Sequence, residues 1–158
     1  MPHLMMAFFE GMAGVKMIHV PYEGAGPALV DLIAGHVPLM GANVLSALPQ
    51  VKAGKLRAYG VSGSGLPDLP TIAEAGLPSY EAVTWFGALA PACTPKAIVN
   101  YLHQNVVRAV NYKVVRKRFI GDGADPSASK TPEEFAALIR DESRRWAKVI
   151  KDAGIAAE

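Results

Sequence analysis

Hydrophobic and polar positions follow two different periods along this chain. In six stretches the apolar residues recur every three or four positions, which predicts amphipathic helices beginning near residues 4, 27, 43, 95, 114 and 131. Short apolar runs separate several of these stretches and predict strands at 15–20, 37–40, 56–61 and 83–89. Alternating strands and helices are typical of an α/β fold, with a mainly parallel sheet covered by flanking helices.

Glycine, proline and asparagine predict where several helices begin and end. Gly11 and Gly14 close the first helix, and Pro27 fits the first position of the second, which Gly35 ends. Asn43 is a suitable cap for the third helix, and Gly54 is its predicted end. These positions divide the first third of the chain into short helices and connecting strands.

Two capping boxes predict further helix starts. Thr71 with Glu74 begins a short helix after a loop at 62–70 that is rich in glycine, serine and proline. Thr131 with Glu134 begins the last helix, with Pro132 at its first position. The last helix then presents an apolar stripe on one side and a run of arginine and lysine on the other, which indicates a solvated face.

Composition narrows the function without defining it. The chain has 158 residues, of which 51% are hydrophobic and 19% charged, so it is globular and suits one domain. A net charge of +2 without a basic run argues against nucleic-acid binding. A single cysteine excludes an internal disulfide, and no apolar run is long enough to cross a membrane. The first residues lack the features of an export signal.

The glycine turn before the second predicted helix is the best candidate site. Tyr22, Gly24, Ala25 and Gly26 join a predicted strand to a helix start. Backbone amides and the positive end of the helix dipole meet at such a turn, so it can hold a carboxylate or an ordered water. The alternative is an ordinary turn that needs the flexibility of glycine.

Other candidate residues have equally plausible structural roles. Asn43 and Ser46 follow the next predicted strand, where α/β sheets place ligands, although Asn43 also suits a helix cap. Trp85 could line a cleft or pack in a core. The histidines have no metal-ligand spacing and no catalytic motif is present, so we expect no metal, no cofactor and no enzyme activity.

Several motifs in order resemble one family. The chain reads V-P-Y-x-G-x-x-P-A from Val20, D-L-x-x-G-x-V from Asp31 and S-A-L-P-x-x-K-A-G-K-L-R-A from Ser46. It continues with L-P-T-I-A-E-A-G from Leu69 and W-F-G-A-L-A-P from Trp85, and further matching motifs reach the last helix. This sequence resembles the solute-binding proteins of tripartite tricarboxylate transporters, also called the Bug family.

The resemblance implies a type 2 periplasmic-binding-protein-like fold with two lobes and a ligand cleft between them. It implies a ligand that is a small organic acid: a di- or tricarboxylate, an amino acid or an aromatic acid. It also implies a periplasmic location and membrane transport subunits as partners. Residues 1–82 would belong to the ligand-binding second lobe, and 83–158 would supply the crossing strand and the C-terminal part of the first lobe.

The resemblance also leads to expectations about single residues and about how much of the two-lobed fold this chain contains. His3 matches a histidine of the family, whereas Gly41 and Ala42 stand where the family often has a bulky apolar residue and an aspartate. Family chains are about twice as long, so we expect an incomplete fold, roughly half of the two-lobed structure. Half of such a fold leaves apolar surface uncovered, which predicts self-association and no tight carboxylate binding.

A regulator domain and a small enzyme are the two alternatives to a solute-binding protein. An effector-binding domain of a regulator can share the lobed fold, but the chain has no helix-turn-helix pattern or basic patch. A small α/β enzyme would need a nucleophile elbow, a phosphate loop or a metal cluster, and none is visible in the sequence. A solute-binding protein therefore remains the leading hypothesis.

Overall fold

A computed structural model of the chain describes residues 1–63 and 69–155. Within these residues the structure has six α-helices and no β-strand longer than an isolated bridge. The helices are α1 (Pro2–Ala13), α2 (Ala25–Ala34), α3 (Val44–Lys52), α4 (Lys96–Asn111), α5 (Lys113–Gly121) and α6 (Pro132–Asp152). All six correspond to stretches in which the sequence predicts helical periodicity. Part of the predicted loop at 62–70 lies outside the described residues.

The predicted helix ends are confirmed where glycine supplies a left-handed conformation. Gly14 and Gly35 close α1 and α2 with φ of 66° and 80°. The prediction that Gly11 also closes the first helix is wrong, because Gly11 lies inside α1. The predicted start of α2 at Pro27 is wrong by two residues, because Gly24 caps the helix and Ala25 is its first residue. Proline fits at this third position because the amides of the first turn have no acceptor within the helix, so the missing N–H costs no helical hydrogen bond.

Two predicted boundaries differ from the observed ones. Helix α3 ends at Lys52 rather than at Gly54, which lies in the following turn with φ of 69°. The predicted short helix after Thr71 is a series of turns, although both bonds of its capping box form: Thr71 N donates to Glu74 Oε2 and Glu74 N donates to Thr71 Oγ1. A capping box satisfies the amides of a first turn but cannot extend it into a helix.

The predicted sheet is not confirmed. All four predicted strands lie outside helices, yet the only strand pairing among the described residues is an isolated parallel bridge between Val61 and Thr71. Hydropathy reports that a segment is apolar and non-helical, whereas a strand also requires a neighbour that accepts and donates its backbone hydrogen bonds. The sequence pattern contains no information about that neighbour.

The chain divides into two compact units. The first contains the described residues of Met1–Thr84 and those from Val149 onward, and the second is Trp85–Lys148. The buried residues of the first unit are Ala7, Ala28, Tyr80 and Ala82. In the second unit Trp146 is buried on α6. Over the described residues, no helix combines the length and hydropathy of a membrane span.

Candidate ligand-binding site

The chain turns sharply before α2, at the position of the predicted glycine turn. Gly24 has φ of 107°, which L side chains rarely adopt, and its amide donates to the carbonyl of Tyr22 at 2.8 Å. Apart from Gly24 and its two chain neighbours, no described residue has an atom within 4 Å of the position that a Cβ of Gly24 would occupy. The backbone conformation therefore requires glycine here, and the space beside it is open.

The first turn of α2 presents unused hydrogen-bond donors. Ala25 and Gly26 are its first two residues, and among the described residues their amides have no acceptor. No acidic side chain lies in this first turn to neutralise the positive end of the helix dipole. The structure thus brings together three of the predicted residues, Gly24, Ala25 and Gly26, in an arrangement that favours an anion.

Tyr22 is connected to the middle of α2 rather than to the open side of the turn. Its hydroxyl donates to Asp31 Oδ2 at 2.8 Å, and the other oxygen of the same carboxylate lies 3.1 Å from His36 Nδ1. The predicted residue Tyr22 therefore belongs to a network with Asp31 and His36, which the sequence did not predict. This network fixes the start of the turn to the helix that follows it.

The hydrogen bonds of this network shift two pKa values. The pKa of Asp31 is lowered, first by the hydrogen bond to His36 and next by that from Tyr22. The pKa of Tyr22 is raised, chiefly because its hydroxyl donates to Asp31. A lowered aspartate pKa contributes stability above the pKa of the unfolded chain, and this contribution disappears as the pH falls through the folded-state value.

We expect His36→Ala to raise the pKa of Asp31 more than Tyr22→Phe does, because the histidine is the larger cause of its lowering. Carboxyl-carbon NMR titration of Asp31 measures both shifts. His103→Ala is the control, since that ring contacts Ser129 O at 3.0 Å and should leave Asp31 unchanged. A larger shift in Tyr22→Phe than in His36→Ala would contradict this order.

His3 lies against His19, which is not among the predicted site residues. Its ring stacks on that of His19, with centroids 3.8 Å apart and planes within 4°. Both side chains are exposed, and His19 lies in the segment that leads into the glycine turn. No group of three or more metal-ligating side chains occurs among the described residues, so this pair has no third ligand there.

The polar side chains at the start of α3 already make some hydrogen bonds within the chain. The Ser46 hydroxyl donates to the carbonyl of Asn43 at 2.8 Å. Asn43 occupies the cap position, but its side chain makes no capping bond; Thr84 Oγ1 donates to its Oδ1 at 3.4 Å. The amide group of Asn43 has no acceptor within residues 1–63 and 69–155, so it remains available as a donor.

Trp85 belongs to the second unit, whereas the other seven predicted residues belong to the first. Its ring makes an edge-to-face contact with Phe135, with centroids 5.3 Å apart. This contact supports the packing alternative for Trp85, while its role in a cleft stays a prediction.

A large apolar cavity lies within the first unit, between α1, α2, α3 and the segment after residue 54. It measures about 920 Å³, and the charged residues that line it are Lys55 and Arg57. None of the eight predicted site residues lines it. The cavity is therefore distinct from the glycine turn.

The chain is similar to known proteins in both sequence and structure. The family model described as "Tripartite tricarboxylate transporter family receptor" matches residues 1–155. A UPF0065 protein encoded in a tcbD-tcbE intergenic region of a Pseudomonas species is 39% identical over 153 residues, which is 94% of this chain and 45% of that protein.

Two solved structures are similar over nearly all of the chain. R. palustris Rpa4515 with adipate has a TM-score of 0.88 and 37% identity over 98% of this chain and 53% of that one. The periplasmic binding protein BugD has a TM-score of 0.84 and 29% identity over 99% of this chain and 54% of that one. The chain thus spans about half the length of each of these three relatives.

Proposed function

The chain belongs to the tripartite tricarboxylate transporter receptor family, and from this membership we propose that it is the ligand-holding part of an extracytoplasmic solute-binding protein. The proposed ligand is a small organic carboxylate, delivered to a tripartite tricarboxylate-type transporter. Binding rather than catalysis is proposed, in a periplasmic location like that of the similar protein BugD. Membrane transport subunits would be the partners that receive the ligand.

One observation carries this proposal: the open glycine turn at the start of α2. The amides of Ala25 and Gly26 lie at the positive end of the helix without an acceptor among the described residues, and Gly24 leaves the approach clear. A carboxylate oxygen can accept from such amides, and the helix dipole stabilises its charge. The similar protein Rpa4515 was solved with adipate, a dicarboxylate, which supports this class of ligand.

The proposed contacts are mainly backbone contacts. The Tyr22 hydroxyl already donates to Asp31, so Tyr22 would position the turn rather than donate to the ligand. The Asn43 amide is a further candidate donor, since only its oxygen has a partner in the part of the chain that the structure describes. His3, Ser46 and Trp85 stay predictions as ligand contacts, because their observed contacts are with other side chains or with their own helix.

Affinity of this chain alone should be weak. The chain spans about half the length of the solved structures it resembles, and tight binding requires that most of a ligand's surface be buried. Backbone donors that face open solvent gain little over the hydrogen bonds that water already makes to a carboxylate. We therefore expect millimolar rather than micromolar binding of adipate.

An NMR titration with adipate tests the proposal directly. We expect the amide signals of Ala25 and Gly26 to shift progressively, because a carboxylate accepts from these two donors. The uncharged analogue 1,6-hexanediol has the same chain length and should leave the two signals in place. Equal shifts with the diol and the diacid would count against an anion site.

A pair of glycine variants provides the second control. Proline cannot adopt φ of 107°, and at position 24 it also removes the amide that donates to Tyr22 O. Gly24→Pro should therefore abolish the adipate-dependent shifts. Gly54→Pro makes a matched disturbance, because Gly54 also has positive φ and an amide that donates to a nearby carbonyl, that of Val51. If both variants lost the shifts equally, the turn would not be the site.

A further inference from the structure

Asp31 is the one charged residue of α2, the helix whose start forms the glycine turn. It follows Ala25 and Gly26 by six and five residues, which places it roughly 8–9 Å along the helix axis from their amides. A carboxylate at that distance repels a bound anion only slightly, because water and salt screen most of the interaction. As a charge alone, Asp31 is therefore a small disadvantage for the proposed carboxylate site.

The carboxylate of Asp31 is held from two sides. Its Oδ2 accepts a hydrogen bond from the Tyr22 hydroxyl at 2.8 Å, and its Oδ1 lies 3.1 Å from Nδ1 of His36. The main chain of Asp31 is fixed as well, because its carbonyl accepts the His36 amide at 2.9 Å where Gly35 ends the helix. Asp31 is thus a fixed point on α2 to which a residue before the turn is attached.

Tyr22 transmits this restraint to the turn. Its carbonyl accepts the Gly24 amide at 2.8 Å, while its hydroxyl is bonded to Asp31, so both its main chain and its side chain are restrained. Gly24 has φ of 107°, and glycine loses more conformational freedom than other residues when its backbone is ordered. Because a turn that is already ordered does not have to be ordered by the ligand, a restraint on Tyr22 favours binding.

We propose that Asp31 is a positioning residue of the carboxylate site, which through Tyr22 holds the glycine turn in the conformation that presents the amides of Ala25 and Gly26. This inference rests on the proposed function, because a positioning role requires a ligand at the turn. The lowered pKa of Asp31 favours its ionised form, and a charged acceptor makes the stronger hydrogen bond. Loss of this carboxylate should therefore weaken the binding of an anion, whereas loss of a merely repelling charge would strengthen it.

Adipate titrations followed at the amide signals of Ala25 and Gly26 measure this role in the full chain. Asp31→Ala should weaken adipate binding about two- to five-fold, the lower range for one hydrogen bond, since the Asp31 side chain is 36% exposed. Tyr22→Phe keeps the negative charge and removes only the hydroxyl, and it should weaken binding by a similar factor. The double variant should lose no more than either single variant, because both remove the same contact.

Two matched variants separate positioning from charge and from stability. Glu23→Ala removes a carboxylate next to Gly24 that makes no hydrogen bond or ion pair to a described residue. It should leave binding unchanged or strengthen it up to about two-fold, as expected for a screened charge. Tyr80→Phe removes another tyrosine hydroxyl of the same unit, which donates to the Met5 carbonyl, and should keep adipate binding within about two-fold, as expected for an independent position.

Amide exchange at Gly24 reports the conformation of the turn without any ligand. We expect this amide to exchange faster in Asp31→Ala and in Tyr22→Phe than in the wild type, because its acceptor is then less restrained. Helical circular dichroism should be unchanged in both variants, which guards against a folding defect.

The outcomes distinguish this role from the proposed function. Adipate binding that both Asp31→Ala and Tyr22→Phe retain would overturn the positioning role and leave the proposed function intact. Binding that Asp31→Ala strengthens as Glu23→Ala does, or losses that add up in the double variant, would have the same consequence. A wild-type chain whose two amide signals do not respond to adipate would instead overturn the proposed function and the positioning role together.

Discussion

Replacing Tyr80 with alanine should lower the free energy of unfolding by roughly 3–5 kcal/mol, as for other buried aromatic residues. Tyr80 is only 4% exposed and is the largest side chain in the buried core of the first unit. Its ring contacts those of Phe8 and Phe9 on α1, with centroids 5.4 and 5.8 Å away. Truncation would remove these ring contacts and leave a cavity beside α1, and both effects lower stability.

Denaturant unfolding followed by circular dichroism, in dilute protein, measures this loss. Tyr80→Phe separates the ring from the hydroxyl, which donates to the Met5 carbonyl at 2.9 Å, and should cost only about 0.5–1.5 kcal/mol. Tyr59→Ala is the surface control; Tyr59 is 70% exposed in the same unit, and its loss should fall within about 0.5 kcal/mol of zero. Equal costs for Tyr80→Ala and Tyr80→Phe would show that burial of the ring is not the source of the stability.

Trp146→Ala should have a comparable effect on the second unit, a loss of roughly 3–5 kcal/mol. Trp146 is 7% exposed, and its indole nitrogen donates to Glu142 Oε2 at 2.8 Å. The Arg145 guanidinium lies 5.3 Å from the centroid of the indole ring. Glu142 keeps Arg145 as an ion-pair partner in the variant, so the expected cost arises mainly from the lost ring rather than from an unpaired carboxylate.

Fluorescence of the remaining Trp85 reports unfolding of the second unit in this variant. Trp146→Phe retains most of the buried ring and should cost clearly less than the alanine variant. Tyr101→Ala, at an exposed position on α4, is the control and should be nearly neutral. The prediction fails if Tyr101→Ala and Trp146→Ala shift the unfolding midpoint by similar amounts.

The helices were predictable because their signals are local. An apolar stripe that repeats every three or four residues, closed by a glycine or opened by a capping residue, contains most of what a helix requires. All six predicted stretches are helical, and Gly14 and Gly35 end their helices as predicted. The short helix after Thr71 was the exception, since a capping box without a following amphipathic stripe produced only turns.

The candidate site was predictable only in part. The positive φ of Gly24 and the free first turn of α2 follow from a glycine pattern before an apolar stripe, and both are present. Asp31 and His36 were missed because their role depends on contact with Tyr22, which lies nine residues before Asp31. The spacing of Asp31 and His36 across the end of α2 was the one sequence signal that could have suggested the pair.

The sequence by itself determined the family, the six helices and the glycine turn, since motifs, periodicity and turn residues all act over a few neighbouring positions. Only the tertiary structure decided which residues are buried and which extended segments have partners. Tyr80 reaches the Met5 carbonyl across 75 residues of sequence, and the backbone of residues 85–90 makes no hydrogen bond to a described residue, although their apolar run predicted a strand. Burial and strand pairing depend on groups distant in sequence, and hydropathy measures only the preference of each residue for leaving water.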